Sequence, residues 1–266
     1  MQIKPRARAL ALPSTLVVVL TLLASAGEAG FNLISVDQEW ASREQMHAQV
    51  AQQMPLVDDP AALRYLNQVG RRIAAQTPYG NLPWDFFIVR DSKVNAFNLP
   101  GGLVYVNSGT IAQAESLDQL AGVLAHEIGH GAARHGTQLM TRAYGYNLLA
   151  SLALGRNPSQ AQQILAQLLG TGVLTSYSRK AEREADHLGV YYEYRSGYDP
   201  RGMERFFEKL SGMRQRRPNM VQQFFSDHPL TEERIQNVDA DIARLPRSRS
   251  LTHDTRAFQE FRSRFR

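Results

Sequence analysis

Leu124-Ala125-His126-Glu127-Ile128-Gly129-His130 is the stretch of this 266-residue chain whose residue types and spacing can do chemistry. It reads H-E-x-x-H. A helix turns once in about 3.6 residues, so His126 and His130 fall on one face, one turn apart. Two imidazoles held that way can grip one zinc ion. Glu127, beside the first, is placed to take a proton from a water that the metal activates. Alone the pattern is weak, because two surface histidines on an ordinary helix also fit it.

Zinc in a hydrolase takes three protein ligands and keeps one position open. His135 lies five residues beyond His130, well off the ligand face of a straight helix, and is discarded. The metzincin pattern needs a histidine where Gly136 stands, which excludes that class. A glutamate from a second helix is the other common solution. Ala181-Glu182-Arg183-Glu184-Ala185-Asp186 offers E-x-x-x-D at helical spacing. Glu182 and Asp186 then share a face: Glu182 can bind zinc while Asp186 accepts the spare ring N–H of a ligand histidine, fixing its tautomer. Glu184 points to the opposite side and reads as solvated.

The elements that must position these residues follow from periodicity and punctuation. Ser116 with Gln119 fits a capping box at the start of the histidine helix, Leu117, Leu120, Val123 and Leu124 give it a buried face, and Gly136 fits a left-handed stop. Upstream, Val36–Val50 reads as a helix packed on the domain. Asp59-Pro60 opens another, with Leu63, Leu66, Val69 and Ile73 on one stripe. Trp84–Arg90, Lys93–Asn98 and Leu103–Val106 have strand composition, the last two joined by a turn at Leu99-Pro100-Gly101-Gly102; short links suggest a small meander.

Downstream, Tyr144–Thr175 is rich in Ala, Leu and Gly, broken at Gly155–Pro158, and reads as core helix or as a lid. Ser178–Tyr194 and Met203–Met213 are helical. Asp227-His228-Pro229-Leu230 is a turn that launches a helix at Thr231. The stretch from Arg244 onward carries seven arginines against Asp254 and Glu260. Such a tail is a solvated surface or is drawn to an anionic membrane surface.

Composition narrows the class. With 43% apolar residues the chain can bury an ordinary core, and its length suits one domain. Absence of cysteine excludes disulfides, thiol ligands and a thiol nucleophile. Lys4, Arg6 and Arg8, the apolar run Leu10–Leu23 and Ala24-Ser25-Ala26 form a secretory signal pattern, with cleavage expected after Ala26. Residues 1–26 are then a signal peptide, and 27–266 a single domain ending in the basic tail. The formal charge of +5 falls to about +2 without those three basic residues, which gives no argument for nucleic acid. An exported protein is expected, periplasmic in a Gram-negative source.

Four stretches together resemble a known family: Val94-Asn95-Ala96-Phe97 with Pro100-Gly101-Gly102; His126-Glu127-Ile128-Gly129-His130; Glu182-Arg183-Glu184-Ala185-Asp186; and Asp227-His228-Pro229 with Glu233-Arg234-Ile235. In this order, over about Phe31 to Val238, they resemble the zinc metallopeptidases of the HtpX, Oma and CAAX prenyl protease group, and especially its soluble periplasmic BepA-like members. The resemblance implies a gluzincin fold, α+β but mostly α, with a small mixed sheet of about three strands beside the HExxH helix. It implies one zinc ion per chain and endopeptidase activity. Glu182 matches the third ligand and Asp186 its hydrogen-bonding support.

Residues Asn95, Ala96 and Phe97 match the edge strand beside the zinc, to which an extended substrate can add. Asn95 contacts the substrate backbone or caps the turn. His228 matches a histidine that reaches the metal site. It would stabilise an oxyanion or occupy the open zinc position; a turn histidine bonded to its own backbone is the plain alternative. Arg234 matches a residue that holds this loop by pairing with a carboxylate. The stretch after Val238 is too short for the tetratricopeptide array of some BepA-like relatives, so no docking through one is expected. The function expected is zinc-dependent cleavage of misfolded or unassembled envelope proteins, with peripheral membrane contact possible in principle through the tail. The competing reading is a chaperone-like envelope assembly factor with a closed, non-catalytic zinc site.

Overall fold

The computed structural model describes residues 32, 34–142, 177–246 and 250–266. The signal segment and all of Tyr144–Thr175 lie outside the described residues. Helices α1 (Val36–Ala41), α2 (Arg43–Gln53) and α3 (Pro60–Ala74) lead into strands β1 (Asp85–Val89), β2 (Ala96–Leu99) and β3 (Leu103–Asn107). Helices α4 (Ser108–Gln113), α5 (Leu117–Ala132), α6 (Arg179–Arg195), α7 (Arg201–Arg216), α8 (Pro218–Asp227), α9 (Glu232–Ala243) and α10 (Arg256–Ser263) follow. The architecture is α+β and mostly helical, with one small mixed sheet. Among the described residues no helix is long and apolar enough to cross a membrane.

The sheet differs from a meander. Its order is β1-β3-β2, with β1 parallel to β3 and β2 antiparallel to β3. The β2–β3 turn forms as the sequence suggests, with Gly101 and Gly102 at φ +86° and +73°. The parallel partner of β1 is therefore β3, and β2 becomes an outer strand. The outer side of β1 is closed. The carboxamide of Asn67 accepts from the Phe86 N–H at 3.2 Å and donates to the Phe86 carbonyl at 2.8 Å, and Leu56 forms a bridge to Val89.

Helix α3 begins as its sequence dictates. Asp59 accepts from the Ala61 and Ala62 N–H groups, Pro60 holds the first position, and Leu66, Val69 and Ile73 are buried. Helix α5 is the centre of the molecule. Every residue from Leu117 to Gly131 is buried, so a helix with only one apolar stripe is enclosed on all sides.

Its ends differ from the reading of the sequence. Ser116 precedes the helix but makes no capping bond, and Gln119 accepts instead from the Glu115 N–H at 2.8 Å. The first N–H groups are taken by the C-terminal segment: Leu117 N–H donates to Asp254 Oδ1 at 3.1 Å and Asp118 N–H to the His253 carbonyl at 3.0 Å. The left-handed residue at the other end is Arg134, at φ +57°, and the chain is helical again over 135–142. Gly136 therefore lies inside that next helical stretch. Arg134 holds its conformation through its guanidinium, which donates to Glu39 Oε2 at 2.7 Å and to the Ile34 carbonyl.

The residues from 250 onward are therefore more than a free solvated tail. Besides the cap, Arg262 donates to the Ala112 carbonyl, Arg264 pairs with Asp59 at 2.8 Å, and Phe261 stacks on Tyr65 with ring centres 4.7 Å apart.

Candidate metal centre

Helices α5 and α6 cross closely enough to bring their functional faces together. A Cβ on Gly129 would lie 2.6 Å from the Ala185 carbonyl oxygen, and one on Gly189 3.2 Å from the Ala125 carbonyl. Glycine at both crossings lets the backbones approach, and His126 and His130 then face Glu182 across the gap. His126 Nε2 lies 3.1 Å from His130 Nε2 and 3.6 Å from Glu182 Oε2; His130 Nε2 lies 3.3 Å from Glu182 Oε1. His228, from the turn after α8, enters the same space. Its Nδ1 is 3.2 Å from both His126 Nε2 and Glu182 Oε1, and its Nε2 is 3.5 Å from Glu127 Oε1. One ligating atom from each of His126, His130, Glu182 and His228 lies within 4.8 Å of the others, and all four residues are buried.

The surroundings of these atoms suit a cation. Asp186 Oδ1 lies 2.9 Å from His126 Nδ1, which leaves the lone pair of a neutral ring on Nε2. Two imidazole nitrogens and a carboxylate oxygen thus converge with no proton to share. Burial lowers His130 well below the usual imidazole range, so its ring is neutral. Burial pushes Glu182 up, but the charge of His228 beside it outweighs burial and holds the carboxyl far below its ordinary value. Neutral imidazole with ionised carboxylate is the protonation state that a divalent metal requires.

The supports are also buried. Arg234, on α9, spans two carboxylates. Its Nε and Nη2 donate to Asp186 at 2.7 and 2.8 Å, and its Nη1 lies 2.8 Å from Glu182 Oε2. Burial opposes ionisation of Asp186, and the hydrogen bonds from Arg234 and His126 overcome it. Glu127 is fully buried, and neither carboxylate oxygen has a hydrogen-bond partner among the described residues. Burial raises its pKa, partly opposed by His228 and His126. His228 is pushed up to about 9: burial acts against the charged ring, and the carboxylates of Glu127 and Glu182 prevail.

Some residues stand where the sequence did not put them. Asn95 directs its Nδ2 to Asp227 Oδ2 at 3.0 Å, so its amide holds the residue before His228. Ala96 and Phe97 lie in β2, buried, with Phe97 stacked on Tyr105 at 4.9 Å. His135, set aside by the straight-helix argument, returns to His130 with Nδ1 3.0 Å from Nδ1. Glu184 is half-exposed but reaches His135 at 3.5 Å. Tyr177, to which no motif drew attention, stacks on His130 at 4.1 Å and donates to Asn98 Oδ1 at 3.3 Å.

The sequence pattern of Peptidase family M48 matches residues 60–242. The chain belongs to Peptidase family M48. This M48 chain is 30% identical over 252 residues to the Beta-barrel assembly-enhancing protease of Yersinia pestis, covering 90% of itself and 50% of that protein. It is 30% identical over 220 residues to the protein of the same name from Escherichia coli K12, covering 79% and 45%. It is 31% identical over 175 residues to the Mitochondrial metalloendopeptidase OMA1 of Schizosaccharomyces pombe, covering 66% and 51%. The M48 chain thus spans about half the length of these relatives. Membership accords with the helical zincin-type arrangement around His126 and His130 and with a metal at the buried cluster.

Proposed function

We propose that this chain is a zinc-dependent endopeptidase of the cell envelope that cleaves misfolded or unassembled polypeptides. The observation that carries the reading is the convergence of His126 Nε2, His130 Nε2 and the Glu182 carboxylate on one buried point. These three residues would hold one zinc ion, and His228 could add a fourth donor. Zinc bound there supplies Lewis acidity, which polarises a peptide carbonyl and makes water more acidic.

The protein's own groups do the rest. The Glu127 carboxylate is buried and makes no hydrogen bond among the described residues; it takes the proton of the attacking water and delivers it to the leaving amine. Burial raises its pKa, which makes it the stronger base for taking that proton. Asp186 holds the His126 ring, and Arg234 keeps Asp186 and Glu182 in register. An extended substrate adds along β2, which Ala96 and Phe97 begin and Asn95 precedes, since the outer side of β1 is closed by Asn67. In the conformation described, His228 stands between Glu127 and the ligand atoms, so the site is closed until the Asp227–His228 turn withdraws.

The envelope location rests on the signal pattern of residues 1–26. Cleavage after Ala26 leaves 27–266 as one domain, which N-terminal sequencing of the exported protein would check. Quality control of envelope proteins fits the names of two relatives, a protease that enhances β-barrel assembly and a mitochondrial metalloendopeptidase.

The insertion of His228 also favours a second reading, a chaperone-like assembly factor whose zinc site never opens. Metal analysis with casein cleavage separates the two, comparing wild type, Glu127→Gln and His228→Ala. The peptidase reading expects about one zinc per chain in all three, cleavage abolished in Glu127→Gln and increased in His228→Ala. Full zinc with no cleavage by any of them, and envelope function intact in Glu127→Gln, would establish the assembly factor.

A further inference from the structure

His130 differs from His126 in what holds its second nitrogen. His126 Nδ1 faces a carboxylate, Asp186, itself gripped by Arg234. His130 Nδ1 faces another imidazole: His135 Nδ1 at 3.0 Å, with both rings buried. Two ring nitrogens at that separation can share only one proton. The far side of His130 decides who carries it. Nε2 of His130 points at His126 Nε2 and Glu182 Oε1, so it must be a bare lone pair to serve a cation. The proton of a neutral His130 is then on Nδ1, and His135 Nδ1 is the acceptor. A neutral His135 in turn carries its own proton on Nε2, and that atom faces Glu184 Oε2 at 3.5 Å. Each step permits one assignment, and the assignments agree.

We infer that His135 is a positioning residue that accepts the Nδ1 proton of His130, directs its own proton outward to Glu184, and so fixes the tautomer in which His130 offers Nε2 to the metal. The inference rests on the reading of His130 as a ligand.

The backbone is arranged for this contact. Helix α5 stops at Ala132, and Arg134, left-handed at φ +57°, redirects the chain so that the fifth residue after His130 returns to its ring. Glu39 anchors that turn from α1 through Arg134, and Thr137 lies 3.4 Å from the same carboxylate oxygen. Tyr177 stacks on the face of the His130 ring and leaves it little freedom to rotate. The outer member is weaker than the inner one, because the Glu184 side chain is 52% exposed and water competes for its oxygens.

The test uses the full mature chain and zinc alone as the probe. Zinc affinity is measured by competition with a chelating dye for wild type, His135→Leu, His135→Asn and Glu184→Gln. Long-range proton–nitrogen correlation of the imidazoles in the metal-free protein reports the His130 tautomer directly. The inference expects His135→Leu to bind zinc about 10- to 100-fold more weakly. His135→Asn keeps an oxygen acceptor where Nδ1 was and should recover most of the affinity. Glu184→Gln should lose less than Leu does. The His130 signal should show a proton on Nδ1 in wild type and a mixture in His135→Leu.

Where leucine also lowers the melting temperature of the metal-free protein, the asparagine variant decides. If it binds as weakly as leucine, the ring serves only packing and the inference fails. The inference also fails if wild type binds zinc and His135→Leu binds within twofold of it. A wild-type chain that takes up no zinc overturns the ligand reading itself, and this inference with it.

Discussion

Asn95 Nδ2 donates to Asp227 Oδ2 at 3.0 Å, joining the residue before the outer strand to the residue before His228. Asn95 is itself fixed, since Thr110 Oγ1 accepts from its N–H and donates to its carbonyl. A hydrogen bond to an ionised acceptor contributes about 1.5–3 kcal/mol. If withdrawal of the His228 turn limits turnover, Asn95→Ala should raise casein cleavage about tenfold, with zinc content unchanged. Gln223 also holds Asp227, which keeps the turn folded in the variant. Reduced cleavage at full zinc occupancy would show that the contact serves the open state instead.

Arg234→Met should be among the most damaging single changes outside the ligands. It leaves Glu182 and Asp186 buried without their shared cation, a situation that costs about 3–5 kcal/mol when one partner of a buried pair is removed. Urea unfolding of the metal-free protein would measure this. Loss of under about 1 kcal/mol would mean that water reaches the carboxylates.

Gly129→Ala tests the helix crossing. Its new methyl would meet the Ala185 carbonyl oxygen, which is backbone and cannot rotate away. Overpacking of this kind costs about 1–3 kcal/mol. Because the helices must part, Glu182 should move from both histidines, so zinc affinity should fall together with the melting temperature. A variant that loses stability but keeps wild-type zinc affinity would disprove the link between crossing and site.

Glu193 offers a pH test far from the ligand cluster. It is fully buried, has no hydrogen-bond partner among the described residues, and burial, with Asp118 and Asp199, raises its pKa well above 4.5. Between the ordinary carboxyl pKa and the raised one, the folded state binds a proton that the unfolded state has lost. Stability therefore falls as pH rises through that window, by up to about 1.4 kcal/mol per pH unit. Glu193→Gln removes the titration, so its advantage over wild type should grow from pH 5 upward and vanish below pH 4. A constant difference across that range would show that Glu193 titrates normally.

Much of the site is legible because it is local. H-E-x-x-H and E-x-x-x-D each place two residues on one helical face, and neither depends on distant chain. The resemblance added His228 and Arg234, which periodicity alone would not select. What escaped depends on the chain's return from elsewhere. His135 stays outside the group of converging ligand atoms, as the sequence suggests, but its contact with His130 escaped because Arg134 takes the left-handed conformation that a sequence reader assigns to Gly136. The capping box at Ser116 lost to groups more than a hundred residues downstream. The strand order was obscured because short links favour neighbours in sequence, whereas β1 is paired with β3.

The cap supplied by His253 and Asp254 bears on the order in which the centre is completed. Residues 117–132 leave the ribosome, and cross any export channel that leads with the N-terminus, well before residues 253 and 254. Until that later segment arrives, the Leu117 and Asp118 N–H groups lack the acceptors they have in the folded protein. A partly made chain therefore has not yet capped the helix that carries His126 and His130.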